Sequence, residues 1–307
     1  MGGALLPAGR ILLTGVRGQV GGELLDLLSP LGEVIAPTRE AMDLTDEASV
    51  RDLVRSVRPR WIVNPAAYTA VDKAESEPEL AYAVNAEAVR VIGEEAQAIH
   101  AGVIHFSTEY VFDGSGRKPY VETDVTAPLS VYGASKLAGE RALLASGAVH
   151  LIFRTSWVFG SQGKNFLLTI LRLARERESI RVVGDQYGAP TWSRDLAMMT
   201  AHVIAQCEAA AKGGDLIHAL REISGIYHAA GRGETTWFGF AKEAVRLLQE
   251  REPQTRFAEI ETISTDEYST VAKRPANSRM NCDKLAAQFG WSMMDWHDAT
   301  KRALANL

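Results

Sequence analysis

The sequence predicts an α/β protein built on a doubly wound parallel sheet, followed by a smaller C-terminal α/β part. Three observations carry this. Short apolar runs alternate with amphipathic stretches through the first half of the chain, and a glycine-rich turn follows the first run. The 307 residues are 46% apolar and 23% charged, an ordinary globular composition whose length allows two domains of roughly 150 residues or one large α/β domain.

Residues 10–14 (Arg-Ile-Leu-Leu-Thr) form an apolar run ended by Gly15, and 19–31 is amphipathic, which reads as strand, turn, helix. The alternation repeats as a strand near 33–37, a helix near 46–57, a strand at 61–64, a long helix ending near His100 and a strand at 102–106. Residues 107–130, rich in Gly, Pro, Asp and Thr, are too long for a simple connection, and such loops are usually functional. A helix over 130–146 and a strand over 149–153 follow. Beyond about 160 the rhythm loosens: helices near 164–176 and 194–210 flank polar pieces such as 184–191, and 212–215 reads as a surface loop. The expected division is 1–160 and 161–307, with later segments free to complete the first sheet.

Charge and cysteine content narrow the function. With 33 Lys+Arg against 38 Asp+Glu the formal charge is −5, and no basic run faces a phosphate backbone, so nucleic acid is not an expected partner. Cys207 and Cys282 form no CxxC pair, which suits a reducing, cytoplasmic setting better than a disulfide scaffold or a zinc site. Residues 1–9 lack a signal-peptide pattern, Leu6 sits where a myristoylation signal needs Ser or Thr, and no apolar span reaches 18 residues, so no membrane partner is expected.

Thr14-Gly15-Val16-Arg17-Gly18-Gln19-Val20-Gly21 places three glycines three apart at a strand-to-helix turn. Gly15 is expected to make the sharp turn, Gly18 to let the backbone approach a pyrophosphate, and Gly21 to let the helix pack on the sheet. A ligand-free tight turn is the plain alternative; its place after the first strand favours a Rossmann-type dinucleotide site, with 1–160 binding the cofactor and 161–307 mainly the substrate. The second strand ends Pro37-Thr38-Arg39 rather than in a carboxylate. Arg39 can pair with a 2′-phosphate, favouring NADPH, with NADH possible; Glu40 next to it and a merely solvated arginine weigh on the other side. Tyr132 and Lys136, four apart on one helix face, form a third constellation: a neighbouring ammonium is expected to bring the tyrosine's acidity toward the working range. His105 reads as a packed core residue, and the tryptophans at 61, 237, 291 and 296 as core or domain-packing residues.

The glycine turn with Tyr132 and Lys136 resembles the extended short-chain dehydrogenase/reductase superfamily, and 107–114 (Ser-Thr-Glu-Tyr-Val-Phe-Asp-Gly) is similar to its dTDP-4-dehydrorhamnose reductase branch. Residues 64–75, 154–160, 185–191 and 274–279 extend the resemblance over nearly the whole chain. It implies NADPH-dependent reduction of the C4 keto group of a dTDP-4-dehydro sugar, feeding cell-surface polysaccharide. Tyr132 would be the proton donor, Lys136 its ribose-binding partner and Thr108 the third member of the triad. Gly18, Gln19, Val20, Asp43, Leu44, Ala67, Tyr68 and Thr69 would line the cofactor, and Trp157 the sugar nucleotide. Glu109, a suggested substrate contact, stands where the family usually has Asp, and Phe159 replaces a common Tyr. Lys164, Arg274 and Arg279 are candidates for the anionic dTDP half, with solvated faces as the plainer reading.

Other readings stay open: a 4,6-dehydratase or epimerase, or a non-catalytic NADP-binding subunit on the same scaffold. A dehydratase typically has Thr-Asp-Glu, whereas Tyr110 follows Glu109 here, and an intact Thr108, Tyr132 and Lys136 set favours an enzyme. Some family members are described as dimers joined through Mg²⁺ held by glutamates. Glu23 matches one such position but Arg194 occupies another, a cation where a metal would be repelled, so no metal site is expected, and the chain could be a monomer or a homodimer.

Overall fold

The computed structural model describes residues 9–212 and 214–307; residues 1–8, the start of the expected first division, and Gly213 of the expected surface loop lie outside the described residues. The chain runs β1 (Arg10–Leu13), α1 (Gln19–Leu28), β2 (Glu33–Ile35), α2 (Glu47–Val57), β3 (Trp61–Asn64), α3 (Val71–Ala74), α4 (Pro78–Tyr82), α5 (Ala88–Ile99), β4 (Gly102–Thr108), α6 (Val131–Ala145) and β5 (His150–Thr155). It continues through β6 (Val158–Phe159), α7 (Phe166–Glu176), β7 (Ser179–Val183), β8 (Tyr187–Gly188), β9 (Thr191–Trp192), α8 (Ser193–Ala211), α9 (Leu216–Arg221) and β10 (Gly225–His228). The last elements are β11 (Thr235–Thr236), α10 (Trp237–Arg251), β12 (Glu259–Ile263), α11 (Asp283–Phe289) and α12 (Trp296–Ala305).

Six strands form one parallel sheet in the order β10-β5-β4-β3-β1-β2. The order reverses between β1 and β3, which opens a crevice at the carboxyl ends of those strands, where such sheets bind ligands. Period-two alternation explains why the inner strands are apolar on both faces. Ile11 and Leu13 of β1 pack with Leu24 and Leu28 of α1 and Leu196 and Val203 of α8, while Leu12 turns to Val50 and Val54 of α2 and Ile92 of α5. The sixth strand comes from the second half of the sequence, as the soft boundary allowed: Tyr227 of β10 sits opposite Phe153 of β5. A separate core, with Leu167, Ile180, Phe240 and Trp296, joins α7, β7, α10 and α12.

The single long helix expected before His100 is interrupted. Pro78 takes the first turn of α4, the one helical place where its missing N–H costs nothing, and residues 83–87 form a π turn before α5. That turn presents Asn85, which is fully buried and bridges two parts of the site described below.

Helix α6 is held at both ends. Ser130 caps it by accepting from the Gly133 N–H at 3.2 Å, and Glu75 accepts from the Val131 N–H at 2.8 Å. Near its other end Glu140 takes two hydrogen bonds from Arg154 of β5, at 2.9 and 2.7 Å, with both side chains buried. Removing one partner of such a pair leaves an uncompensated buried charge, at about 3–5 kcal/mol. The helix carrying Tyr132 and Lys136 is thereby fixed to the sheet.

Candidate functional site

The first turn of the sheet is shaped by close approach. Gly15 has φ +62°, and a Cβ there would stand 2.9 Å from Ala66 Cα. Gly21 is needed for a different reason than expected: its added Cβ would meet Gly15 O at 2.1 Å, so it closes α1 onto the turn itself rather than onto the sheet face. Gly18 stands at the N-cap of α1 and brings no side chain to the first-turn N–H groups, which are left to an anion.

Two adjoining clefts share Gly15, Arg17, Ala66 and Ala67. One, of about 380 Å³, is lined by Thr38, Arg39, Asp43, Leu44 and Tyr68. The other, of about 420 Å³, is lined by Gly18, Gln19, Val20, Gly21, Thr69, Tyr132 and Lys136. Every residue expected at the cofactor is thus brought to this pair of clefts. Arg17, which lacked a signal beyond its place inside the glycine turn, joins Arg39 at the first. Both arginines help hold the Glu40 carboxylate below its usual range, behind its hydrogen bonds to its own backbone and to Thr38. Asn85 ties the walls together: it accepts from the Tyr68 N–H at 2.8 Å and donates to Ser135 Oγ of α6 at 3.0 Å.

A dinucleotide suits this cavity. Gln19 Oε1, Ser107 Oγ and Thr155 Oγ1 are buried polar atoms with no partner among the described residues, and all three side chains line the second cleft. Together with the uncapped start of α1 and the two arginines, they provide donors and acceptors that a nicotinamide, a pyrophosphate and a ribose phosphate can satisfy.

Lys136 is buried, and its ammonium donates to Phe106 O at 2.7 Å and to His105 Nε2 at 3.2 Å. Burial lowers its pKa to about 8, against the support of Glu140. The expectation that Lys136 would make Tyr132 more acidic is corrected: burial, then the Glu109 carboxylate, push Tyr132 up, and only a hydrogen bond with Thr108 opposes them. The ammonium faces His105 and Phe106 instead, so Tyr132 is held as the neutral phenol that can donate a proton. Tyr110 packs edge-on against it with ring centroids 5.5 Å apart.

Thr108 and Glu109 lie buried at the end of β4, where the Thr108 hydroxyl donates to Glu109 Oε2 at 2.8 Å. Burial raises Glu109 to about 7, despite the Thr108 bond, its own backbone N–H and the Arg274 charge. A third cleft, of about 440 Å³, is lined by Asp72, Tyr110, Gln186, Trp237 and Arg274. Trp157, at φ +47°, a costly conformation for such a residue, stacks on Trp237 at 3.7 Å between centroids. Trp237 therefore does more than pack the core, whereas Trp61 and Trp296 are buried as expected. Of the cations named for the anionic half, Arg274 lines this third cleft, bound to Asp72 at 2.6 Å, while Lys164 lines the second. Arg279 is taken up by Glu234, Asn277 and Arg117 O.

Arg194 donates to Glu23 Oε2 at 2.8 Å, an ion pair between α8 and α1 at the place where a metal-holding carboxylate was in question. Among the described residues no group of three or more His, Cys, Asp or Glu side chains is arranged to hold a metal, and no helix is long and apolar enough to cross a membrane.

Comparison with known proteins agrees with this geometry. A dTDP-4-dehydrorhamnose reductase of Escherichia coli K12 is 46% identical over 301 residues, 97% of each chain, and one from Burkholderia thailandensis is 42% identical over 301 residues, 97% of this chain and 99% of its own. The crystal structure of dTDP-4-dehydrorhamnose reductase from Bacillus anthracis in complex with NADP superposes with a TM-score of 0.87 at 33% identity, covering 97% of this chain and 99% of that one. The model of the family described as the RmlD substrate binding domain matches residues 9–307, and the chain belongs to that family.

Proposed function

We propose that this chain is an NADPH-dependent oxidoreductase that reduces the C4 keto group of dTDP-4-dehydro-L-rhamnose to give dTDP-L-rhamnose, in cytoplasmic nucleotide-sugar synthesis for cell-surface polysaccharide. The observation that carries it is that half-buried Tyr132 and buried Lys136 line the same cleft as the open N-terminus of α1. The 46% identity of a full-length reductase supports the substrate. In this reading residues 1–160, completed by β10, bind the cofactor and 161–307 mainly bind the sugar nucleotide, as a monomer or a homodimer.

The bound cofactor supplies a hydride to the sugar C4. The α1 N-terminus and Arg39 would hold its phosphates, and Lys136 has one ammonium proton, beyond the two given to His105 and Phe106, that would serve a ribose hydroxyl. Tyr132, kept neutral, gives its phenolic proton to the oxygen at C4 as negative charge develops there, and Thr108, next to the same phenol, holds that oxygen by turning its one hydroxyl proton away from Glu109. Trp237, backed by the stacked Trp157, offers a flat apolar wall to the sugar nucleotide, and Arg274 a cation to its diphosphate. The test is NADPH oxidation with dTDP-4-dehydro-L-rhamnose beside other 4-keto sugar nucleotides. Preference for the rhamnose precursor is expected, and equal or better turnover of another sugar would replace the substrate assignment.

A further inference from the structure

His105 stands in the middle of β4 and is fully buried, yet it is not packed among apolar groups alone. Its Nε2 lies 3.2 Å from the Lys136 ammonium and its Nδ1 3.2 Å from the side-chain amide of Asn64, whose other end is 2.6 Å from Thr14 Oγ1. Thr14 directly precedes the glycine turn. A continuous chain of buried polar groups thus runs from the end of β1, through β3 and β4, to the lysine on α6.

The tautomer follows from the donors. An ammonium has no lone pair, so Nε2 is the bare nitrogen and the ring proton sits on Nδ1. That proton finds its acceptor in the Asn64 backbone, while the side-chain oxygen of Asn64 takes the Thr14 hydroxyl at 2.6 Å, an O–H···O distance. Each nitrogen of the imidazole then has one partner of the right kind. Burial and the Lys136 charge, with a smaller contribution from His150 on β5, hold His105 well below its usual pKa; a hydrogen bond to the Asn64 backbone on β3 opposes them. Glu140, on α6, supports the Lys136 charge and is itself paired with Arg154 of β5. His105 is therefore a permanent acceptor at neutral pH rather than a proton carrier.

We propose that His105 is a positioning residue for Lys136, accepting one ammonium proton so that, with Phe106 O taking a second, the third is aimed at the cofactor cleft, and tying that aim through Asn64 to the glycine turn. The proposal rests on the reductase reading for its kinetics but not for its binding readout. Two substitutions separate the nitrogens. His105→Gln keeps an acceptor at the Nε2 position, while His105→Asn keeps a polar group facing Asn64 and removes the acceptor facing Lys136.

NADPH affinity by fluorescence titration, the pH profile of kcat and the thermal midpoint are measured for each. H105Q is expected to stay within about threefold of wild type, and H105N to lose roughly tenfold in both kcat and NADPH affinity. The alkaline limb of kcat should move to lower pH in H105N, because an ammonium without its acceptor loses its proton more readily. If H105N does not fold, His105→Met fills similar volume without a strong acceptor and takes its place. Wild-type affinity and an unmoved limb in the acceptor-free variant, or equal losses in both variants, would overturn the proposal. A wild-type protein that binds NADPH but turns over no 4-keto sugar instead defeats the reductase reading and leaves the affinity comparison legible.

Discussion

Glu109→Gln isolates one titration whose size follows from burial. The carboxyl of Glu109 is 3% exposed and raised from its ordinary 4.5 to about 7, chiefly by desolvation. At about 1.4 kcal/mol per tenfold change in acidity, that rise corresponds to roughly 3 kcal/mol between the protonation states. The sign is set by proton binding. Between the two values the folded protein keeps the proton and the unfolded chain releases it, so wild-type stability falls as pH rises from 4.5 toward 7. Glutamine keeps an oxygen for the Thr108 hydroxyl and has nothing to ionise. Urea unfolding of both proteins at several values across pH 5 to 8 should therefore show E109Q gaining on wild type by up to about 3 kcal/mol, with most of the gain complete near neutrality. All other titrations cancel in the difference. A stability difference that is flat with pH would mean that Glu109 titrates normally and that the buried environment assigned to it is wrong.

Tyr132→Phe should keep NADPH affinity and lose roughly 10²-fold or more in turnover, because only the proton donor is removed; near-wild-type turnover would take Tyr132 out of that role. Arg39→Ala should weaken NADPH by roughly tenfold and leave NADH nearly unchanged, since only NADPH carries the phosphate proposed to meet the guanidinium, and equal shifts for both would exclude the contact. The Glu23 and Arg194 ion pair leads to a third expectation: EDTA should alter neither activity nor solution mass, and a Mg²⁺-dependent dimer seen by sedimentation would show that the arginine is displaced by metal.

The parts of this protein legible in its sequence are those whose chemistry is local. The glycine turn, the alternation of strands and helices, and the Tyr132 and Lys136 spacing each depend on residues within a few positions of one another, where backbone sterics and helix period fix who faces whom. The place of Arg39 at the first cleft was legible for the same reason, although β2 ends at Ile35 and Arg39 lies in the turn that follows it, because that place follows from the length of one βα unit. Tertiary structure decided what depends on distant neighbours. Residues 225–228 complete a sheet begun at residue 10, and Trp157 meets Trp237 across 80 positions of chain. The π turn that delivers Asn85 reads locally as one more stretch of helix; it is fixed by where the Tyr68 backbone and Ser135 stand. Most of all, acidity escaped the sequence reading. Burial alone raises Glu109, and burial with the Glu109 charge raises Tyr132, rather than adjacency along a helix, while the Lys136 ammonium meets His105, because desolvation is a property of everything packed around a group and no residue carries it alone.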